Sequence, residues 1–280
     1  MDTSVSVANK RAVIALMTDF GLGDGYAGVM KGVIAGIAPD VQVIDITHEI
    51  APQQIASGAW ILATAYRYFP RGTVFTCVVD PGVGSARGAI ALHAGDWLFV
   101  GPDNGLFSYI YTEQPVHEAV MLANAQYRLP QVSTTFHGRD VFAPAAAYLA
   151  RGVSLSDFGP AIDPATLVRL TVQQAVRQNG TITACIVHID HFGNIVTNIP
   201  LTLVPELFGE QVQVRCIFAD SGAVVEQHSR FFAAGSGGVP FLYNDSAGTI
   251  GVAVRNGNAA TALGARLGSQ VTLIVGPRDL

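Results

Sequence analysis

Several polar residues stand where a polar side chain is costly unless it has a partner or a task. Asp80 opens a Gly-rich turn, Asp80-Pro81-Gly82-Val83-Gly84-Ser85-Ala86-Arg87, directly after an apolar run, and Arg87 closes it. A carboxylate and a guanidinium projecting from one tight loop can grip a polar reactant; the plainer reading is an Asp that caps the turn and an Arg on the surface. The Gly-x-Gly inside the turn is a weak phosphate signal, and no Lys-Ser/Thr follows to make a P-loop. Asp19 ends the apolar run 12–17, where an unpaired carboxylate is expensive. A strand-end carboxylate suits ribose hydroxyls; as a helix N-cap, Asp24 is better placed. His137 precedes Gly138-Arg139-Asp140 and reads either as a structural histidine or as part of a site. His188 and His191 flank Asp190, but His188 falls inside an alternating strand pattern, which disfavours a metal cluster. His191-Phe192-Gly193-Asn194 reads as a turn whose Asn194 amide can meet a nucleobase edge. His48-Glu49 is explained as well by pairing within its loop.

Other chemistries are disfavoured by what the chain lacks. No Gly-x-Ser-x-Gly elbow occurs. The three cysteines, Cys77, Cys185 and Cys216, are far apart in apolar or β-branched runs, as buried thiols in a reducing compartment would be. No paired Cys spacing supports zinc. Net charge is −5, and the only lysines are Lys10 and Lys31. With no basic stripe, non-specific nucleic-acid binding is not expected. The chain is charge-poor, with 13 % charged and 50 % hydrophobic residues, and its mean hydropathy of +0.37 raises the question of membrane spans. The apolar stretches are too short or too interrupted: 231–254 contains Gly235, Gly237, Gly238, Pro240, Asn244, Asp245 and Gly248. Residues 1–11 are polar and lack a signal-peptide layout, so a cytoplasmic protein is expected, without a membrane partner.

The elements that must position these groups form two regions. Strand-like runs at 12–17, 41–46 and 73–79 alternate with helical stretches, the first ending near 37 and the second covering 54–68. That order predicts an α/β domain over 11–165, a mainly parallel sheet sandwiched by helices. Its loops after strands, with Asp19, His48 and Asp80, should share the carboxyl rim where ligands collect. Residues 160–164 look like a linker. Beyond about 175, strand candidates at 181–189, 211–218, 249–254 and 270–275 are separated by Gly and Asn turns, with a short helix conceivable at 201–208. This predicts a smaller all-β barrel domain over 175–280.

Six motifs then occur in order: Thr18-Asp19-Phe20-Gly21; Asp80-Pro81-Gly82-Val83-Gly84 with Arg87; Gly101-Pro102-Asp103-Asn104-Gly105; Phe136-His137-Gly138-Arg139-Asp140; Asp190-His191-Phe192-Gly193-Asn194; and Asn256-Gly257-Asn258-Ala259-Ala260. Through them the chain resembles, over residues 13–275, the S-adenosyl-L-methionine hydroxide adenosyltransferases, or SAM hydrolases, relatives of the fluorinating and chlorinating SAM enzymes. The resemblance implies a homotrimer with active sites between the N-domain of one subunit and the C-domain of its neighbour. It further implies that Asp80, Arg87 and His137 position and activate water. By the same resemblance Asp19 holds the ribose hydroxyls, Asp190 lies near the methionine amino group, and Phe192 packs on adenine while Asn194 hydrogen-bonds it. Ser246 and the backbone around Val254 line the methionine and adenine ends.

The implied reaction is attack of water on ribose C5′, giving adenosine and methionine. The thioether is a neutral leaving group, so no general acid, cofactor or metal is called for; either Asp80 or His137 could serve as base. Halogenating relatives carry Tyr where this chain has Asp80 and lack counterparts of Arg87 and His137, which favours water over halide. One departure stands out: many members read Ser-x-Gly-Tyr-Leu-Glu where this chain has Ser246-Ala247-Gly248-Thr249-Ile250-Gly251. Loss of that Tyr and Glu motivates the alternative of a non-catalytic SAM or adenosine sensor.

Overall fold

The computed structural model describes residues 11–171, 173–209 and 212–277. The polar residues 1–10 and the start of the expected strand at Gln211 fall outside them, as do residues 278–280. The chain divides into two compact units, the first ending at Leu170 and the second starting at Thr171.

In the first unit, β1 (Val13–Thr18), α1 (Tyr26–Ile37), β2 (Gln42–Thr47), α2 (Ile55–Ala65) and β3 (Val74–Val78) follow the expected alternation. They are joined by β4 (Ala89–Ala94), β5 (Trp97–Pro102), α3 (Ser108–Glu113), β6 (Val116–Met121) and α4 (Ala143–Ala150). The sheet order is β2-β1-β3-β5-β4-β6. β2, β1, β3 and β5 pair in parallel, whereas β4 pairs antiparallel with both β5 and β6. The expected mainly parallel sheet is therefore a mixed one. Its cause is local: the two-residue turn Gly95-Asp96 folds β4 and β5 into a hairpin instead of a crossover. Both faces are covered, and β1 shows how. Ile14 and Leu16 enter one core with Met30, Ile34 and Phe142, while Ala15 and Met17 enter another with Leu62, Tyr66 and Phe107. Alternation along a strand sends successive side chains to opposite faces, so a fully apolar β1 is what two helical layers require.

Residues 160–164 do not hang free as a linker. Ala161 bridges to Val120, Ile162 N–H donates to the Ala119 carbonyl, and Val168 N–H donates to Asp103.

The second unit holds β7 (Val176–Gln178), β8 (Thr181–Ile189), β9 (Ile195–Pro200), β10 (Val212–Phe218), β11 (Val224–Val225), β12 (Gln227–His228), β13 (Pro240–Asn244), β14 (Thr249–Val254), α5 (Ala259–Leu263) and β15 (Gln270–Pro277). Among the described residues they make one nine-stranded sheet in which only β12 and β13 pair in parallel. It curls far enough to be nearly barrel-shaped, with Ile182, Ile186, Phe218, Leu242, Val252 and Leu273 among its core. The domain is not all β, because α5 lies within it, capped by Asn258 accepting from Thr261 N–H. Of the short helix conceivable at 201–208, a single 3₁₀ turn, Leu201–Leu203, forms. Among the described residues no helix is long and apolar enough to cross a membrane.

Candidate active site

Because β1, β2, β3 and β5 run parallel, the residues that follow them emerge at one rim of the first sheet. Asp80 sits there, two residues past β3, with its side chain only 4 % exposed. The Arg87 guanidinium covers it: Nε lies 3.0 Å from both carboxylate oxygens, and Nη2 also bonds Oδ2. The same Nη2 reaches His137 Nδ1 at 2.8 Å. Arg87 stacks on Phe142, its guanidinium carbon 5.3 Å from the ring centroid. One planar cation thus joins a carboxylate from one loop to an imidazole from another.

The local sequence explains how the two loops come so close. Gly84 has φ +78°, and a Cβ there would stand 2.3 Å from the Thr134 carbonyl oxygen. The glycine therefore lets the turn abut the segment leading to His137, a close-approach role rather than a phosphate cradle. Asn104 donates from its amide to the Val79 carbonyl at 2.8 Å, bracing the chain just before Asp80. On the other side His137 leads into a π-helical turn, Gly138–Phe142, a geometry frequent at functional sites. Gly138 is buried where a Cβ would press on Met30, Phe136 and Phe20. Asp140, fully buried, is matched by Arg139 at 2.6 Å and by Ser133 N–H at 2.8 Å.

The contacts define the state of His137. Arginine can only donate, so Nδ1 must accept from Arg87, and a neutral ring then carries its proton on Nε2. Burial lowers the His137 pKa below its ordinary value, and the Arg87 charge lowers it further, with Arg128 adding to the effect against Asp80 and Asp140. His137 is thus a neutral ring with an N–H to donate at Nε2. Arg128 has no local sequence signal; its buried Nε lacks a hydrogen-bond partner among the described residues.

Asp19 also reaches the rim. Its Oδ2 accepts from Gln53 N–H at 2.8 Å, which holds Gln53 at φ +66°. Its other oxygen accepts no hydrogen bond among the described residues. Neither Asp19 nor Asp24 caps α1, whose N-cap is Gly25 without a side-chain bond. His48 turns inward, 3 % exposed, bonded to Thr18 Oγ1 at 2.8 Å.

The second unit gathers different chemistry. A cleft of about 760 Å³ is lined by Phe192, Asn194, Phe232, Val254, Arg255 and Asn256, among others. Asp190 builds the turn that presents it: Oδ1 accepts from the N–H groups of Phe192 and Asn194, and Oδ2 accepts from the Asn194 amide at 2.8 Å. Phe192 is left 72 % exposed. Phe232, which sequence reasoning missed, forms another wall; the Phe231-Phe232 pair beside a Gly-rich stretch was its available signal. Ser246 is not part of this cleft. It lies exposed in the β13–β14 turn closed by Asp245, at the end of β14 away from Val254. The ring of Tyr243 in β13 lies across Gly251 of β14, where a Cβ would stand 2.7 Å from it. Position 251 lacks a long side chain because Tyr243 fills its space. Another hollow, about 520 Å³ beside Arg11, Asp40 and Arg151, lies at the amino ends of β1 and β2 and gathers none of these residues.

Comparison with known proteins gives one consistent result. Residues 14–159 match the model described as the SAM hydroxide adenosyltransferase N-terminal domain, and residues 184–272 match the corresponding C-terminal domain. A protein of Salinispora tropica named (R)-S-adenosyl-L-methionine hydrolase is 41 % identical over 94 % of this chain and 98 % of its own. A fluorinase of Actinoplanes sp. is 28 % identical over 95 % of this chain and 98 % of its own. The crystal structure of an uncharacterized conserved protein from Thermotoga maritima superposes with a TM-score of 0.87 at 34 % identity, covering 93 % of this chain and 99 % of that one.

Proposed function

The chain belongs to the SAM hydroxide adenosyltransferase family, and from that premise we propose that it hydrolyses S-adenosyl-L-methionine to adenosine and L-methionine. Water attacks ribose C5′ opposite the sulfonium, the C5′–S bond breaks with its electron pair staying on sulfur, and one proton is released. The observation that carries the reading is the Arg87 guanidinium bridging Asp80 and His137 at the rim.

That arrangement supports a division of labour between the two candidate bases. The Nε2–H of His137 donates to the water oxygen, and the Asp80 carboxylate accepts a water proton, leaving a lone pair for C5′. His137 orients; Asp80 is the acceptor. Arg87 holds both at fixed spacing and, being always charged, keeps its donors through the cycle. The neutral thioether leaves without protonation, so the step as written needs neither metal nor cofactor. Asp19 receives the ribose hydroxyls on its free oxygen. In the second unit, Phe192 and Phe232 offer aromatic faces to adenine, and the Asn194 carbonyl oxygen, left over after its amide bonds Asp190, takes the adenine amino group. Asp190, its oxygens used by its own turn, contributes charge near the methionine ammonium more than a direct bond. Ser246 belongs at the methionine end.

The name carried by the hydrolase relatives specifies the R configuration at sulfur, and we extend that preference to this chain. The sensor alternative rests on Thr249 and Gly251; Tyr243 occupies the space over Gly251, and product release from SAM separates the two readings. The exposed apolar residues Leu22, Tyr26 and Val29 in one unit and Phe192, Phe231 and Phe232 in the other support self-association. We assign a cytoplasmic homotrimer whose sites pair the first unit of one copy with the second unit of another. The test is incubation of each sulfonium epimer in H₂¹⁸O. Adenosine and methionine should appear one to one, fastest from the R epimer, with the label in the adenosine 5′-hydroxyl. Intact substrate, or label in any other product, would sink the reading, and sedimentation at the monomer mass would remove the trimer.

A further inference from the structure

We propose that His48 is a positioning residue for the substrate ribose, fixing the loop that carries Asp19 through a buried hydrogen bond to Thr18 and a backbone bond to Gly21. The inference rests on the ribose role assigned to Asp19 above and adds a residue to it.

The contacts run from the surface to the residues beside Asp19. Lys31 Nζ donates to Asp45 Oδ2 at 2.5 Å, and Asp45 Oδ1 lies 3.2 Å from His48 Nε2. That contact is a charge proximity without hydrogen-bond geometry, since the buried Nε2 has no hydrogen-bond partner among the described residues. On its other side the ring shares a hydrogen bond of 2.8 Å between Nδ1 and the fully buried Thr18 hydroxyl. Its oxygen in turn accepts from Phe20 N–H at 3.2 Å. The Asp45 carboxyl is held below its usual range; burial alone would raise it, but its contacts with Lys31 and His48 outweigh that.

The backbone of His48 adds a second hold. Its carbonyl accepts from Gly21 N–H at 2.7 Å, and Gly21 sits at φ +69°, where glycine carries no steric cost. Asp19 is thus bracketed by Thr18 before it and by the amides of Phe20 and Gly21 after it, all tied directly or indirectly to His48. From beyond His48, Gln53 N–H occupies Asp19 Oδ2. The loops after β1 and β2 clasp one another, and the carboxylate oxygen left over is the one available to the 2′,3′-diol. A purely structural histidine would stabilise the fold without tuning one carboxylate toward one ligand group.

Ribose discrimination separates the two roles. Affinities for adenosine and 2′,3′-dideoxyadenosine are measured by calorimetry on the wild-type protein and on Asp19→Ala, His48→Leu, Thr18→Val and Thr18→Ser. Hydrogen bonds to a carboxylate predict a wild-type preference for adenosine of about tenfold or more, abolished in Asp19→Ala. His48→Leu and Thr18→Val should each cut that preference severalfold while leaving dideoxyadenosine affinity near wild type. Thr18→Ser, which keeps the hydroxyl, should retain it. Thr18→Val carries the test if His48→Leu fails to fold. Full preference in the His48 and Thr18→Val proteins, or equal loss for both nucleosides, overturns the positioning role. A wild type without preference, or an Asp19→Ala protein that keeps it, overturns the Asp19 reading and this one with it.

Discussion

The rim of the first unit and the cleft of the second use opposite physical means. At the rim, Asp80 and Arg87 are nearly buried, interlocked by several hydrogen bonds, and seated on glycines that permit backbone contact. In the cleft, Phe192 stands out into solvent, and the polar Asp190 spends its oxygens on the turn beneath. A group that must move a proton gains from low dielectric and from a geometry that costs no reorganisation. A group that must recognise a flat ring gains from accessible apolar area and little rigidity beyond a firm base. The difference predicts that chemistry and affinity can be removed separately.

The largest effect should follow from Asp80→Asn. Stopped assays should show kcat reduced about a thousandfold, the scale of a positioned acid–base group, with adenosine affinity by calorimetry unchanged. Comparable losses of kcat and of nucleoside affinity would erase the contrast between the regions. Arg87→Lys keeps the charge but loses the fork that spans Asp80 and His137, so kcat should fall about a hundredfold. A near-normal rate would show that the bridge itself is dispensable. Phe192→Ala should do the reverse, weakening adenosine about tenfold, as loss of one stacking face does, with kcat at saturation close to wild type. A kcat loss as large as that of Arg87→Lys would mean the cleft takes part in the chemical step.

How much of this could be read beforehand depended on whether the signal was local. Strand β1 was legible because residues 12–17 form an uninterrupted apolar run, which a sheet covered on both faces demands. The turn from Asp80 to Arg87 and the Phe136-His137-Gly138 segment were legible as motifs, yet their meeting was not, because the Gly84 approach to Thr134 joins residues distant in sequence. The mixed sheet did have a local sign, Gly95-Asp96 between two apolar runs, which marks a hairpin. Asp190 was expected to face a ligand, whereas its carboxylate closes its own turn. Gln53 was invisible for a different reason: a backbone N–H serves Asp19, and no residue type announces that. Arg128 was equally silent, since its effect on His137 arises through space.

Arg128 also supplies the finest test of the contrast, because it alters charge at the rim without touching the Asp80–Arg87 bond. The proposed reaction uses His137 neutral, as an Nε2–H donor. Its pKa is depressed by burial and by the Arg87 charge, with a smaller push from Arg128. The neutral form is therefore complete above the depressed pKa and is lost as pH falls through it. The acid limb of kcat/KM set by this group should lie below the ordinary histidine value of about 6.5. Arg128→Met removes one of the cations that oppose protonation, so the limb should move to higher pH, by about half a unit at most for a second-rank charge. At neutral pH the rate should change little, and adenosine affinity in the cleft should not change at all. A limb that stays in place in Arg128→Met would assign the acid loss to another group. Activity lost above the histidine pKa instead of below it, with that alkaline limb moving to higher pH in Arg128→Met, would mean the working histidine is the protonated one, and the roles proposed for His137 and Asp80 would have to be redrawn.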